Sequence, residues 1–197
     1  MNLNKRDIEF LFEIGSMRNM SRGWKQHLAM DCASNTEHSF RVAFIALMLA
    51  RAEGVNDEEK ILKMALIHDL AESRTSDVGY IQKVYVETDE EKATQDLFKN
   101  TGLENLLEIL KEYESRKTPE AKIVKDADNL DIDLELKEIE ERGSKFPRKV
   151  QKFRSQIRNE KLYTKSAKSL WDLLQTVDVS DWHLVANKWV KIPDAGK

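Results

Sequence analysis

Breakers of regular structure are scarce in this chain. Three prolines and seven glycines are spread over 197 residues, so most of it can run as helix. Between them, apolar residues recur at three- and four-residue intervals, and no segment alternates as a half-buried strand does. Val84, Tyr85 and Val86 have local β character, but three residues make no sheet. The expected fold class is all-α, a helical bundle. At this length one domain spanning 1–197 is expected.

Residues 3–19 read as a first helix with Ile8, Leu11 and Phe12 on one side. A loop with Arg22, Gly23, Trp24 and His27 runs to about Asn35. Thr36 is the expected cap of a helix over 37–53, closed by Gly54, with His38, Val42, Ile45, Leu49 and Ala52 along its buried face. Asn56 is expected to cap the next helix, whose Asp57-Glu58-Glu59 turn suits the positive end of the helix dipole. Ser73 to Tyr80 reads as a polar loop. Thr88 and Glu91 read as a capping box opening a helix to about Asn100, and Leu103 to Glu114 as another amphipathic helix. Thr118-Pro119 opens a long helix to about Glu141. Beyond Gly143, two or three helices are expected to pack on the same core through Trp171, Leu174, Trp182, Val185 and Trp189. This extension, about 143–190, follows a core of about 20–142.

Charge and composition exclude several functions. Charged residues make up 34% of the chain, yet the net charge is only −3, which leaves no basic footprint for nucleic acid. The lone cysteine, Cys32, rules out an internal disulfide and fits a reducing compartment. The longest apolar run, Val42 to Ala50, is too short to span a bilayer. Acidic residues stand among the first ten positions, unlike a signal peptide. A cytoplasmic protein with no membrane partner is expected.

The chemistry concentrates in Ala65 to Asp77, reading ALIHDLAESRTSD. Ile61, Met64, Ala65 and His68 share a helical face that should be buried, with Glu72 one turn beyond His68. His68 and Asp69 offer an imidazole nitrogen beside a carboxylate oxygen, natural ligands for one divalent cation. Burying them with no counter-charge would cost several kcal/mol. Such a pair alone is ordinarily a cap or a surface pair, so further ligands decide the matter. His38 heads the buried face of its helix. Asp128 lies on the edge of the stripe Ile123, Ala127, Leu130 and Leu134, while its neighbours Asp126, Asp131 and Asp133 read mostly as solvated.

An isolated His, a His-Asp pair about thirty residues later and a distant Asp on a late helix resemble the HD-domain metal-dependent phosphohydrolases. The runs IHDLAESRTSDV and IVKDADNLD, with Trp24 ahead of Glu37-His38, are similar to the bacterial HD-domain 5′-deoxynucleotidases and the HD-domain-containing protein 2 type. The resemblance spans roughly residues 20–190. It implies an HD-domain bundle in which His38, His68, Asp69 and Asp128 hold one divalent metal ion per protomer: Mn, Co, Fe, Zn or Mg. It implies Glu72 and Asp77 as catalytic residues, Arg22 and Trp24 as nucleotide contacts, and phosphate release from (deoxy)ribonucleoside 5′-monophosphates by a homodimer. Arg74, in the same loop, is a second candidate for the phosphate. One departure stands out: the arginine adjoins the tryptophan in the bacterial enzymes, whereas Gly23 intervenes here.

Other readings remain open on the residues alone. A regulatory protein could bind metal and nucleotide without turnover, though Glu72 and Asp77 favour hydrolysis. Another small phosphate ester could be the substrate. Two-metal phosphodiesterases and oxygenases of the HD type need further histidines between the His-Asp pair and the last aspartate, and residues 70–127 contain none. His27 could approach the pocket and His183 reads as structural or exposed, but neither has the spacing of a dinuclear site.

Overall fold

The protein is described here by a computed structural model covering residues 3–184 apart from Ala29. Val185 and Trp189, expected as packing residues, lie outside the described residues, as does the side chain of His27. The helices are α1 (Lys5–Ser16), α2 (Lys25–Leu28), α3 (Asn35–Glu53), α4 (Glu58–Ile67), α5 (Glu72–Thr75), α6 (Glu90–Phe98), α7 (Leu106–Ser115), α8 (Pro119–Glu141), α9 (Phe146–Glu160), α10 (Lys165–Leu174) and α11 (Asp181–Leu184). Single 3-10 turns cover Met17–Asn19 and Gln82–Val84. Among the described residues there is no strand, only an isolated bridge between Ser21 and Ser34. None of their helices is long and apolar enough to cross a membrane.

Helix α3 lies against both α8 and α4, and these three form the centre of the bundle. Val42, Ile45 and Leu49 of α3 meet Ile61, Met64 and Ala65 of α4 and Ile123, Ala127 and Leu130 of α8 in one buried cluster. Leu162, Ala167 and Trp171 belong to the same cluster, which brings α10 onto the core.

Several expected details are corrected. Ser34, not Thr36, caps α3: its hydroxyl accepts from the Glu37 N–H while the Glu37 carboxylate accepts from the Ser34 N–H. That reciprocal pair needs the acid three residues beyond the cap, which Thr36 lacks. By the same three-residue reach, Asp57 caps α4 in place of Asn56, and Asp89 caps α6 in place of Thr88. In α1 the buried residue is Phe10, packed on Phe98 of α6 with ring centroids 5.6 Å apart, while Ile8, Leu11 and Phe12 are exposed. Ala52 is exposed at the end of α3. The stretch expected as a loop from Ser73 begins as the helical turn α5. Trp182 is 74% exposed and supplies no core.

The largest correction concerns the acids of α8. Asp126, Asp131 and Asp133 are buried, because each has a partner from another element. Asp126 accepts from the Tyr163 and Thr164 N–H groups and the Thr164 hydroxyl, fastening the start of α10. Asp133 forms a two-pronged ion pair with Arg154 of α9, at 2.8 and 2.7 Å. Asp131 faces α3, in the site described next.

Candidate metal centre

The His-Asp pair sits where α4 ends. His68 closes the helix in αR conformation, and the chain then coils through tighter i→i+3 turns into α5. Glu72 is therefore not a continuation of α4 but the first residue of the next turn. Opposite stands His38 on the first turn of α3, its ring centroid 5.4 Å from that of His68. Helix α8 brings Asp128 alongside.

Both imidazoles have one nitrogen engaged and one free. His38 Nδ1 lies 2.6 Å from Asp131 Oδ2, and His68 Nδ1 lies 2.8 Å from the Ala65 carbonyl oxygen. Their Nε2 atoms are buried and make no hydrogen bond. They face carboxylates: Asp69 Oδ2 is 3.4 Å from His38 Nε2 and 3.3 Å from His68 Nε2, and Asp128 Oδ1 is 3.3 Å from His38 Nε2. Ligand atoms of His38, His68 and Asp69 all fall within 4.8 Å of one another. Burial opposes a charge on His38, yet Asp128, Asp131 and Asp69 outweigh it and push its imidazole well up. Burial likewise opposes the charge on Asp69, but His68 and His38 hold its carboxyl well below the usual range. So negative a spot draws a positive charge, and proton and metal compete for the same nitrogen lone pair. The grouped donors, two imidazoles and the Asp69 carboxylate, are of the kinds that bind divalent cations.

A cavity of about 720 Å³ opens beside this cluster. Asp69 and Asp128 line it together with Arg22, Trp24, Glu72 and Asp77. Arg22 lies between two acids, its Nη1 3.4 Å from Asp69 Oδ2 and its Nε 3.2 Å from Asp77 Oδ2. Asp77 also accepts from the Gly23 N–H at 2.9 Å, so it fastens the Arg22–Gly23 segment to the cavity wall. Gly23 packs so tightly that a Cβ there would stand 2.7 Å from the Asp77 carbonyl oxygen and 2.9 Å from the Gly79 nitrogen. The glycine between Arg22 and Trp24 is what permits this approach. Glu72 is mostly buried. That burial, with the charges of Asp69 and Asp77, pushes its carboxyl up to about 9.

Arg74 does not join these residues. Its guanidinium pairs with Glu13 of α1, at 2.6 and 3.0 Å, and it does not line the cavity. His183 is exposed on α11. Three side chains of the site carried no role in the sequence. Lys125 lines the cavity and its Nζ lies 2.7 Å from Asp128 Oδ2. It could have been found, standing three residues before Asp128 on one helix face. Asp131 is held by Arg41 as well as by His38. Asn35, fully buried, bonds to Glu72.

The family model described as HD domain matches residues 14–171. The 5′-deoxynucleotidase HDDC2 of Dictyostelium discoideum is 31% identical over 160 residues, 73% of this chain and 82% of that protein. The 5′-deoxynucleotidase hdd1 of Schizosaccharomyces pombe is 33% identical over 144 residues, 68% of this chain and 72% of its own. Among solved structures, a conserved hypothetical protein from Pyrococcus furiosus superposes with a TM-score of 0.72 at 29% identity, covering 86% of this chain and 99% of that one. With the family match running through His38, the His68-Asp69 pair and Asp128, the chain belongs to the HD domain family.

Proposed function

We propose that this chain is a metal-dependent phosphomonoester hydrolase that releases phosphate from deoxyribonucleoside 5′-monophosphates. One observation carries the reading: two buried imidazole Nε2 atoms without a hydrogen bond face Asp69 and Asp128 beside a cavity of about 720 Å³. The names of the curated relatives, both 5′-deoxynucleotidases, support the nucleotide as substrate.

His38, His68, Asp69 and Asp128 would hold one divalent cation per protomer, with Mn, Co, Fe, Zn and Mg all compatible with mixed N/O donors. Such an ion supplies Lewis acidity and a water that ionises near neutral pH. The remaining work falls to the chain. A phosphomonoester carries close to two negative charges near neutral pH, and of the cations lining the cavity, Arg22 and Lys125, which pair with Asp69 and Asp128, are the ones placed to offset them. Trp24 offers a flat surface to the base or sugar. The departing 5′ oxygen needs a proton, and Glu72, which lines the cavity and whose carboxyl burial pushes upward, is the group placed to supply it. Asp77 keeps Arg22 and Gly23 in place for the phosphate. The same reading takes the chain as a homodimer; a 22.9 kDa species in sedimentation at micromolar concentration would remove that part.

The test is a phosphatase screen over deoxynucleotides, ribonucleotides and sugar phosphates, with each metal supplied in turn. Phosphate release from deoxyribonucleoside 5′-monophosphates is expected. Strong release from sugar phosphates with none from nucleotides would overturn the substrate, and tight nucleotide binding with no release under any metal would overturn hydrolysis itself.

A further inference from the structure

The proposed reaction asks most of Glu72, a side chain with three rotatable bonds at the start of a four-residue helix. Its charged neighbours do little to fix it. Asp69 and Asp77 repel a carboxylate, and Arg22 is engaged by those same two aspartates. Among the described residues, the hydrogen-bond donor on the Glu72 carboxyl is Asn35 Nδ2, which bonds to Oε2.

Asn35 is an odd residue to find there. It is completely buried at the start of α3, and its Oδ1 has no hydrogen-bond partner in the protein. A buried amide left half-satisfied is destabilising, so its presence calls for a reason. Helix capping does not supply one, because Ser34 and Glu37 already close the start of α3. The side chain of Asn35 bonds to Glu72 and to no backbone group of that turn.

We infer that Asn35 is a positioning residue for Glu72, its amide N–H holding Oε2 so that Oε1 is the oxygen that handles the proton. The inference rests on the role given to Glu72 above. An oxygen that accepts an N–H bond serves best as the carbonyl oxygen of a protonated carboxyl, which leaves the hydroxyl on the other oxygen. One bond thus restricts both the rotation of the side chain and the choice of oxygen. Asn35 also precedes His38 by three residues on one face of α3. A single helix end therefore sets a candidate metal ligand and the proton-handling carboxyl in a common frame.

Asn35→Leu keeps a branched side chain and removes the donor; Asn35→Ala is the second variant in case the larger side chain prevents folding. Each is assayed with 2′-deoxyadenosine 5′-monophosphate and Mn²⁺, alone and combined with Glu72→Gln, with Mn²⁺ affinity and Tm measured alongside. The expected result is a fall in kcat on the order of 10- to 100-fold, the scale of a misplaced reacting group, with KM and Mn²⁺ affinity holding. In the Glu72→Gln background the same substitution should add no further loss, because the two residues act as one unit. Equal losses in both backgrounds would assign Asn35 a merely structural role and overturn the inference. So would full kcat in both Asn35 variants beside a crippled Glu72→Gln, an outcome that leaves the proposed function standing. Full turnover in Glu72→Gln would instead remove the role of Glu72, and the inference with it.

Discussion

The two histidines of the site are oriented by different means, and that difference can be tested. His68 Nδ1 faces a main-chain oxygen of its own helix, which no side-chain substitution removes. His38 Nδ1 faces the Asp131 carboxylate, which Arg41 grips in turn while also reaching Glu138 at 2.7 Å. A neutral imidazole has one N–H and one lone pair. An N–H held at Nδ1 by Asp131 leaves the lone pair at Nε2, the atom aimed at Asp69 and Asp128. Removing such an orienting carboxylate typically lowers metal affinity about 10- to 100-fold, and that loss is expected for Asp131→Ala. Asp131→Asn, whose amide oxygen can still accept from Nδ1, should lose less. Calorimetric titration with Mn²⁺ decides it, and unchanged affinity in Asp131→Ala would show that His38 needs no such support. In the sequence Asp131 was one acid among several in a charged run. Its partner is 93 positions away, and no local periodicity announces a contact of that range. His38, His68 and Asp128 are conspicuous in the sequence for the opposite reason: each falls on or beside an apolar stripe, and Asp69 adjoins His68.

At the scale of elements, the breakers are more informative than the caps, since three expected N-caps fall one or two residues from the observed ones. Gly54 ends α3 in the left-handed conformation, and Thr118-Pro119 starts α8, both where the sequence puts them. Arg74 shows that closeness in a loop is not closeness in space: it pairs with α1 and does not line the cavity. Its partner Glu13 lies 61 residues away, and the pair ties α5 to α1. Arg74→Ala should therefore cost stability more than activity, about 0.2–1 kcal/mol for a partly exposed pair. The pH dependence has a definite sign. The hydrogen bond from Arg74 leads the effects that hold the Glu13 carboxyl below its ordinary 4.5, against the opposing effect of burial. A depressed carboxyl contributes stability above its unfolded value and loses it as pH falls through the folded one. The gap between wild type and Arg74→Ala in urea unfolding should be full near neutrality and shrink as pH falls below about 4.5. A gap that stayed constant down to low pH would mean that Glu13 is not the partner that matters.

For the whole molecule, the question is whether α9 and α10 stand or fall with the bundle. Buried charge helps hold α9 to α8. Arg154 is 3% exposed, pairs with Asp133 through two hydrogen bonds, and donates a third, at 2.9 Å, to the carbonyl oxygen of Asn129. Asn129 also lines the cavity, so this ion pair backs the wall of the site from behind. Two charges removed from water gain stability only while both are present. Deleting one partner of such a pair commonly costs about 3–5 kcal/mol, whereas replacing both with apolar residues can be close to neutral. Arg154→Met should thus be strongly destabilising, and the double variant Asp133→Leu with Arg154→Met should recover most of the loss. Because Leu162, Ala167 and Trp171 share the core of α3, α4 and α8, the loss should lower one common transition. Far-UV circular dichroism and tryptophan fluorescence should follow the same urea curve in wild type and variants. Two separated transitions in Arg154→Met, with the earlier one confined to the C-terminal helices, would show that α9 and α10 form a unit of their own and that the single-domain reading is wrong.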